Sequence, residues 1–346
     1  MKTHANIPIF IPHLGCPNQC VFCNQRIISG EKEFKPEEIK DKIETALSTI
    51  NDGREVEIAF FGGSFTGIDR NLMTELLEIG YSYIKSGRVV GIRCSTRPDY
   101  IDVEVLEILK KYGVKVIELG LQSIDEEVLR VTKRGHTADD AKRACKLVVD
   151  YGFELVGQMM IGLPGSTPER EIETAKFIID SGAVGARIYP TVVFSDTELC
   201  HMAKVGEYNP ISLPDAVKRS ADVKRLFVSS DISVIRVGLC SSENLSADDT
   251  YFAGPNHAAI GELVENEIYY SIISEKMKEI NPMPGDNITI FVRKGSLSKA
   301  LGQKKSNKIR IIKEFNTPYV NFSESEELDE YGVRIYTENR KEKRCT

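Results

Sequence analysis

Residues 13–30 read HLGCPNQCVFCNQRIISG, which sets Cys16, Cys20 and Cys23 within eight residues, directly after the apolar run NIPIFI at 6–11. The other five cysteines, Cys94, Cys145, Cys200, Cys240 and Cys345, are scattered singly. That distribution does not build a disulfide framework in a chain of 346 residues. The three crowded thiols form a pattern of their own, at the end of a strand candidate and with no fourth cysteine beside them.

Beyond the cysteines, short β-branched runs alternate with longer amphipathic stretches. The runs are VEIAFFGG (56–63), RVVGIRCS (88–95), VKVIELGL (114–121), FELVGQMMIGLP (153–164) and VGARIYPTVV (184–193). Helix candidates such as KPEEIKDKIETALSTI (35–50), TADDAKRACKLVVDYG (137–152) and TPEREIETAKFIIDSG (167–182) lie between them. Thr167-Pro168 is a helix start of cap followed by first-turn proline. Strands alternating with helices imply a parallel sheet with right-handed crossovers. The expected fold is α/β: a partial TIM-like (β/α)6 barrel over residues 1–230, followed by a small α/β extension over 231–346 in which NITIFVRKG (287–295), KIRIIKEF (308–315) and YGVRIY (331–336) supply apolar runs. In such barrels the reactive groups sit where strands pass into loops. GCPNQCVFC (15–23), FGGSFTG (61–67), CSTRPDYI (94–101), ELGLQS (118–123) and MMIGLPG (159–165) all fall at those ends.

The formal net charge of −6 offers no general attraction to nucleic acid or anionic lipid. A local basic run, Lys299, Lys304, Lys305, Lys308 and Arg310, is the one candidate contact for RNA phosphates, and a solvated face is its simpler reading. No apolar run is long enough to span a bilayer and no leader opens the chain, so the expected compartment is the reducing cytoplasm, without membrane partners.

A four-iron cubane takes one ligand per iron, usually a cysteine thiolate. Three thiolates leave one iron open, a defect for plain electron transfer and an asset if a substrate must bind the metal. The Cys-x3-Cys-x2-Cys spacing of Cys16, Cys20 and Cys23 resembles the signature of the radical S-adenosylmethionine (SAM) enzymes. That resemblance implies a 4Fe-4S cluster held by these cysteines, SAM chelating the open iron, and reductive cleavage of SAM to a 5′-deoxyadenosyl radical. A structural zinc site with His13 as fourth ligand is the alternative, although zinc sites usually pair two separated knuckles and only one is present.

The resemblance covers roughly residues 6–193. ELGLQSIDEEVLRVTKRGHT (118–137) is similar to the catalytic subunit of elongator, and TRPD (96–99) and YPTVV (189–193) follow the same branch. On this likeness Phe22 lies beside the adenine; Gly62, Gly63 and Ser64 receive the methionine amino group through backbone; Ser95 stands where relatives carry a ribose-binding Glu; Gln122 and Arg134 contact ribose and carboxylate; Gln158 and Met160 line the adenosine; and Tyr189 faces the barrel mouth. The substrate is unassigned, with a tRNA base as candidate, and a reductant such as flavodoxin or ferredoxin is implied. No stretch resembles an acetyl-CoA-binding domain, so acetyl transfer is not carried over. Two other readings stay open. A coproporphyrinogen oxidase-like tetrapyrrole enzyme is opposed by Phe10 and Gln25, where those enzymes have Tyr and Cys. The second is a cluster- or haem-binding protein without turnover. Cys94, Cys240, Arg236 and His257 are read first as packing or cap-region residues.

Overall fold

The computed structural model describes residues 4–17, 20–30, 33–51, 53–239 and 250–338. It divides into two compact units, residues 1–216 with 226–258, and residues 217–225 with 259–346.

The first unit begins with β1 (His4–Phe10), α1 (Gln25–Ser29), α2 (Ile39–Thr49), β2 (Glu55–Phe61), α3 (Arg70–Lys85), β3 (Gly91–Thr96), α4 (Val103–Lys111) and β4 (Val114–Gln122). It continues through α5 (Glu126–Val131), α6 (Ala138–Asp150), β5 (Glu154–Ile161), α7 (Pro168–Asp180), β6 (Gly185–Pro190), β7 (Val193–Phe194) and α8 (Glu198–Lys204). α9 (Leu213–Ser229), whose residues 217–225 count with the second unit, is followed by β8 (Ser233–Val237) and β9 (Tyr251–Ala253). Seven strands form one curled parallel sheet in the order β1-β2-β3-β4-β5-β6-β8. Parallel strands covered on both faces read as continuous apolar runs. EVEIAFF of β2 and VKVIELGLQ of β4 are buried almost throughout for this reason. The strand ISVIRVGL, which a boundary at 230/231 assigns to the extension, contributes β8, hydrogen-bonded parallel to β6. It adds a seventh strand to the six expected.

Side-chain caps fix the helix starts. Asp102 Oδ1 accepts from the Val105 amide at 2.8 Å, and Thr137 and Asp140 form a reciprocal capping box at α6. Thr167 caps α7 with Pro168 in the first turn, as the sequence predicts.

The second unit contains α10 (Ile260–Ile280), β10 (Asn287–Arg293), α11 (Leu297–Leu301), α12 (Ser306–Phe315), β11 (Tyr319–Ser325) and β12 (Val333–Glu338). Its three strands run β11-β10-β12, and Tyr269, Ile273, Ile288, Ile290, Ile311 and Val320 form its core. KIRIIKEF, one of the apolar runs of the extension, lies in α12. Asn307 and Ile311, four apart, form the buried side of α12. Lys299 pairs with Glu265 at 3.2 Å and Arg310 with Glu267 at 2.5 Å, so two of the five basic residues proposed for phosphate contact are engaged within this unit.

Among the described residues no helix is long and apolar enough to cross a membrane.

Candidate active site

The cysteine loop leaves β1 and is stitched to three neighbours. Ile11 N donates to Phe61 O at 2.7 Å, His13 N to Gly62 O at 3.1 Å and Ser64 N to Leu14 O at 3.0 Å, tying it to the turn after β2. Val21 N donates to Thr132 O at 3.2 Å, and Leu199 N to Val21 O at 2.8 Å, which adds the end of α5 and the start of α8. The approach of the two loops requires glycine: a Cβ on Gly63 would stand 2.5 Å from Leu14 O and 2.6 Å from Ile11 O. Backbone oxygens cannot swing aside as a side chain does. Gly63→Ala is expected to cost about 1–3 kcal/mol of stability and to lower iron uptake, read from urea midpoints and iron per chain; a variant matching the native chain in both would show that the loops tolerate separation.

The three thiols line one cavity of about 110 Å³ together with Gly63, Ser64, Gln122 and Arg134. Cys20 is buried, and Cys16 and Cys23 are half-buried. Arg134 Nη1 donates to Cys20 Sγ at 3.2 Å, Gln25 Nε2 to Cys23 Sγ at 3.6 Å, and Ser64 Oγ lies 3.4 Å from Cys16 Sγ. Burial, and then the neighbouring Cys20, push the Cys23 thiol up to about 12. Three thiolates in so small a pocket need a cationic centre to hold them ionised, and metal binding releases their protons. Gln122 Oε1 and Arg134 Nε, at the same cavity, are buried without a partner among the described residues. A donor set of three thiols with polar groups left for a further ligand fits an iron-sulfur cluster and its bound SAM.

His13 does not serve as a free zinc ligand. Its Nε2 accepts the Gln25 amide at 3.0 Å, and burial followed by the charge of Arg26 lowers its pKa, so the ring is the neutral acceptor this bond requires. Among the described residues no group of three or more His, Cys, Asp or Glu side chains is disposed to hold a single metal ion.

A second cavity of about 300 Å³ adjoins the first, with Phe22, Cys23, Gly62, Gln122 and Gln158 lining both. Met160, Tyr189 and Arg236 also line the larger one, and Ser95 lines both. All twelve residues named for cluster and SAM therefore border one or both cavities. Gln122 arrives there through a register shift between β4 and β5 and a left-handed φ of 67°. A bulge of this kind re-aims a side chain at a strand end. Ser64 turns its hydroxyl to Cys16, and its carbonyl accepts Gly67 N at 2.9 Å. Arg134 places Nη2 on Gly120 O at 2.5 Å, so its fork spans the strand end and the cysteine loop. Cys94 is buried, as packing predicts, and Cys240 lies outside the described residues.

Sequence reading passed over the carboxylate at the centre of the barrel. Glu118 is fully buried and accepts from Arg93 Nη1 at 3.0 Å, Arg187 Nε at 2.7 Å, Arg187 Nη2 at 3.0 Å and Gln158 Nε2 at 2.8 Å. Ser95 is its register partner on β3, so a carboxylate stands one strand away from the position where Ser95 lacks one. Arg93 also donates to Glu57 at 2.8 Å, and Glu57 meets His4 at 2.8 Å, which extends the ion ladder across the interior to β1. The signal was present: Glu118 and Gly120, two apart on β4, share one face, and Glu118 is a charge within an otherwise apolar run.

His136, of the RGHT segment, is buried with both ring nitrogens unpartnered among the described residues. Burial first, then the guanidinium charges of Arg134 and Arg97, hold its pKa down at about 3. A histidine in the unfolded chain protonates near pH 6.5, so from about pH 6.5 down to 3 the unfolded state binds a proton the native state refuses. Stability is expected to fall with falling pH in that window by up to about 1.4 kcal/mol per unit. Urea midpoints between pH 7 and 5 should drop more steeply for the native chain than for His136→Leu; parallel slopes would show that His136 does not carry the effect.

Residues 10–178 match the Radical SAM superfamily, and residues 183–270 match the Radical SAM C-terminal domain. Elongator complex protein 3 of Saccharomyces cerevisiae is 35% identical over 191 residues, covering 52% of this chain and 34% of the relative. A tRNA uridine(34) acetyltransferase of Dehalococcoides mccartyi is 24% identical over 256 residues, covering 64% of this chain and 56% of the relative. Among solved structures, the Elp3 of the archaeon Methanocaldococcus infernus, with an N-terminal deletion, superposes with a TM-score of 0.61 at 22% identity, over 81% of this chain and 64% of that one; this likeness concerns the fold. The chain spans between 25% and 66% of the length of the curated relatives it matches here. With the two consecutive family matches on a curled parallel half-barrel, this chain belongs to the radical SAM superfamily and is an enzyme of its elongator-like branch.

Proposed function

We propose that Cys16, Cys20 and Cys23 hold a 4Fe-4S cluster, that SAM occupies the adjoining cavity, and that the substrate is an RNA base of the tRNA uridine class. The observation that carries the reading is the pair of cavities sharing Phe22, Cys23, Gly62, Gln122 and Gln158 as walls. When bound, the cluster and SAM together supply one electron and the 5′-deoxyadenosyl radical. The chain's own residues orient and enclose. Gln122 and Arg134 offer a buried acceptor and a guanidinium for the ribose and carboxylate of SAM, the Gly62-Gly63-Ser64 turn offers backbone to its amino group, and Phe22 and Met160 bracket the adenine. Cys20, Val21 and Phe22 pack with Val128, Leu163, Val193 and Leu199, an apolar wall that keeps water and oxygen from the reacting atoms. Glu118 and Arg187 hold Gln158 and the interior polar layer in place below the cavity.

The tRNA assignment rests on the named activity of relatives and on the elongator-like segments 118–137 and 189–193. A small acidic reductant such as flavodoxin or ferredoxin would deliver the electron. The test is anaerobic reconstitution of the full chain, addition of SAM and dithionite, and quantitation of 5′-deoxyadenosine with and without bulk tRNA. Formation that tRNA increases supports the whole reading. Formation indifferent to tRNA removes the RNA substrate and keeps the radical chemistry; a well-formed cluster that never yields 5′-deoxyadenosine removes the enzyme assignment of the site.

A further inference from the structure

Each of the three clustered sulfurs meets one polar side chain, and the three come from different places in the fold. Ser64, in the turn after β2, meets Cys16 at 3.4 Å; Arg134, between α5 and α6, donates to Cys20 at 3.2 Å; Gln25, the first residue of α1, donates to Cys23 at 3.6 Å. We infer that Ser64, Arg134 and Gln25 set the reduction potential of the cluster, each by donating one hydrogen bond to a different cysteine sulfur. The inference rests on the cluster assignment under Proposed function and extends it to residues that do not ligate iron.

The chemistry follows from the ligated state. A cysteine bound to iron is a thiolate and can only accept, so the hydroxyl of Ser64, whichever way it points toward a thiol, must donate once Cys16 carries metal. Hydrogen bonds to ligand sulfurs, with local charge and burial, are the levers by which a protein moves the potential of an iron-sulfur centre. A donor stabilises the electron-richer, reduced form and so raises the potential. Arg134 combines a hydrogen bond with a full positive charge, is buried at 6% exposure, and has Nη2 fixed on Gly120 O. Its effect should be the largest of the three. Gln25 is held in register by its own backbone, whose N–H is accepted by His13 Nε2 at 3.0 Å and whose carbonyl accepts from Ser29 Oγ at 2.7 Å. Ser64 is 1% exposed, its N–H donating to Leu14 O of the cysteine loop and its carbonyl accepting Gly67 N. All three donors are thus positioned by backbone contacts that do not depend on the metal. Arg134 has a guanidinium nitrogen, Nε, still without a partner among the described residues, so a role toward the SAM carboxylate and a role toward Cys20 are compatible on one side chain.

The test is an anaerobic redox titration of the reconstituted full-length chain, without SAM, following the paramagnetic resonance amplitude of the reduced cluster and iron per chain. Arg134→Leu, Gln25→Leu and Ser64→Ala are each expected to shift the midpoint to more negative values, Arg134→Leu the most, with Arg134→Lys falling between native and Leu. Where Arg134→Leu takes up no iron, the shifts of Gln25→Leu and Ser64→Ala carry the test. Full iron content with an unmoved midpoint in the variants overturns the inference alone. A native chain that takes up no iron overturns both the inference and the cluster assignment beneath it.

Discussion

Cys20→Ala is expected to leave the chain folded and unable to retain iron, with 5′-deoxyadenosine formation lost. Cys20 is the buried member of the three, and its sulfur takes the Arg134 hydrogen bond. Its removal leaves two protein ligands for a four-iron centre that needs one per iron, and an arginine facing an empty place in the pocket. Retained iron is expected to fall from about four per chain to near background. The appropriate control is Cys145→Ala, a buried cysteine on α6 that forms no part of the cavity, where burial pushes the thiol up to about 11. Native-like iron in Cys20→Ala with loss in Cys145→Ala would reverse the assignment of the cysteines.

The second large effect concerns stability. Glu118 is the one acceptor common to Arg93, Arg187 and Gln158 inside the barrel. Truncation to alanine leaves two guanidiniums largely out of water. Arg93 keeps Glu57, at 2.8 Å, and Arg187 loses both bonds to a carboxylate. Breaking a buried pair by removing one partner typically costs about 3–5 kcal/mol, because the remaining charge is left buried without its counter-ion; Arg187 keeps Tyr189 and the face of the Phe61 ring. Glu118→Ala is therefore expected to lower the urea midpoint sharply, and Glu118→Gln, which keeps acceptor and shape without the charge, to lower it less. Replacing Glu118 and Arg187 together by apolar residues should recover part of the loss. A Glu118→Ala variant as stable as the native chain would mean that the ladder is solvated in a way its burial does not suggest.

Much of this architecture was legible from periodicity. Parallel strands buried on both faces leave continuous apolar runs, and the motif-bearing segments fell at their ends, so the first six strands and the position of the cavity could be read before any coordinates. The seventh strand, ISVIRVGL, reads as strand-like and falls beyond the 230/231 boundary; SVIRV of β8 is half-exposed and carries Arg236, so its run does not mark it as part of the barrel sheet. In the site, the cysteines announced themselves by spacing. Gln122 and Arg134 were found through likeness to relatives, and what brings Gln122 to the cavity, a bulge with φ of 67°, has no spacing signature. Glu118 stands within the ELGLQS run, where a charge in the middle of an apolar strand announces a partner without naming it. Arg93 and Arg187 lie 25 and 69 residues away in sequence, and only the sheet order unites them.

The most direct measurement is electron paramagnetic resonance of the anaerobically reconstituted, dithionite-reduced full-length chain, recorded with and without SAM. Three thiolates that leave one iron open predict a 4Fe-4S signal whose g-values change when SAM is added, in the native chain and not in Cys20→Ala. A four-iron signal that SAM leaves untouched, or a native chain that binds zinc in place of iron with equal occupancy and no such signal, would contradict the account.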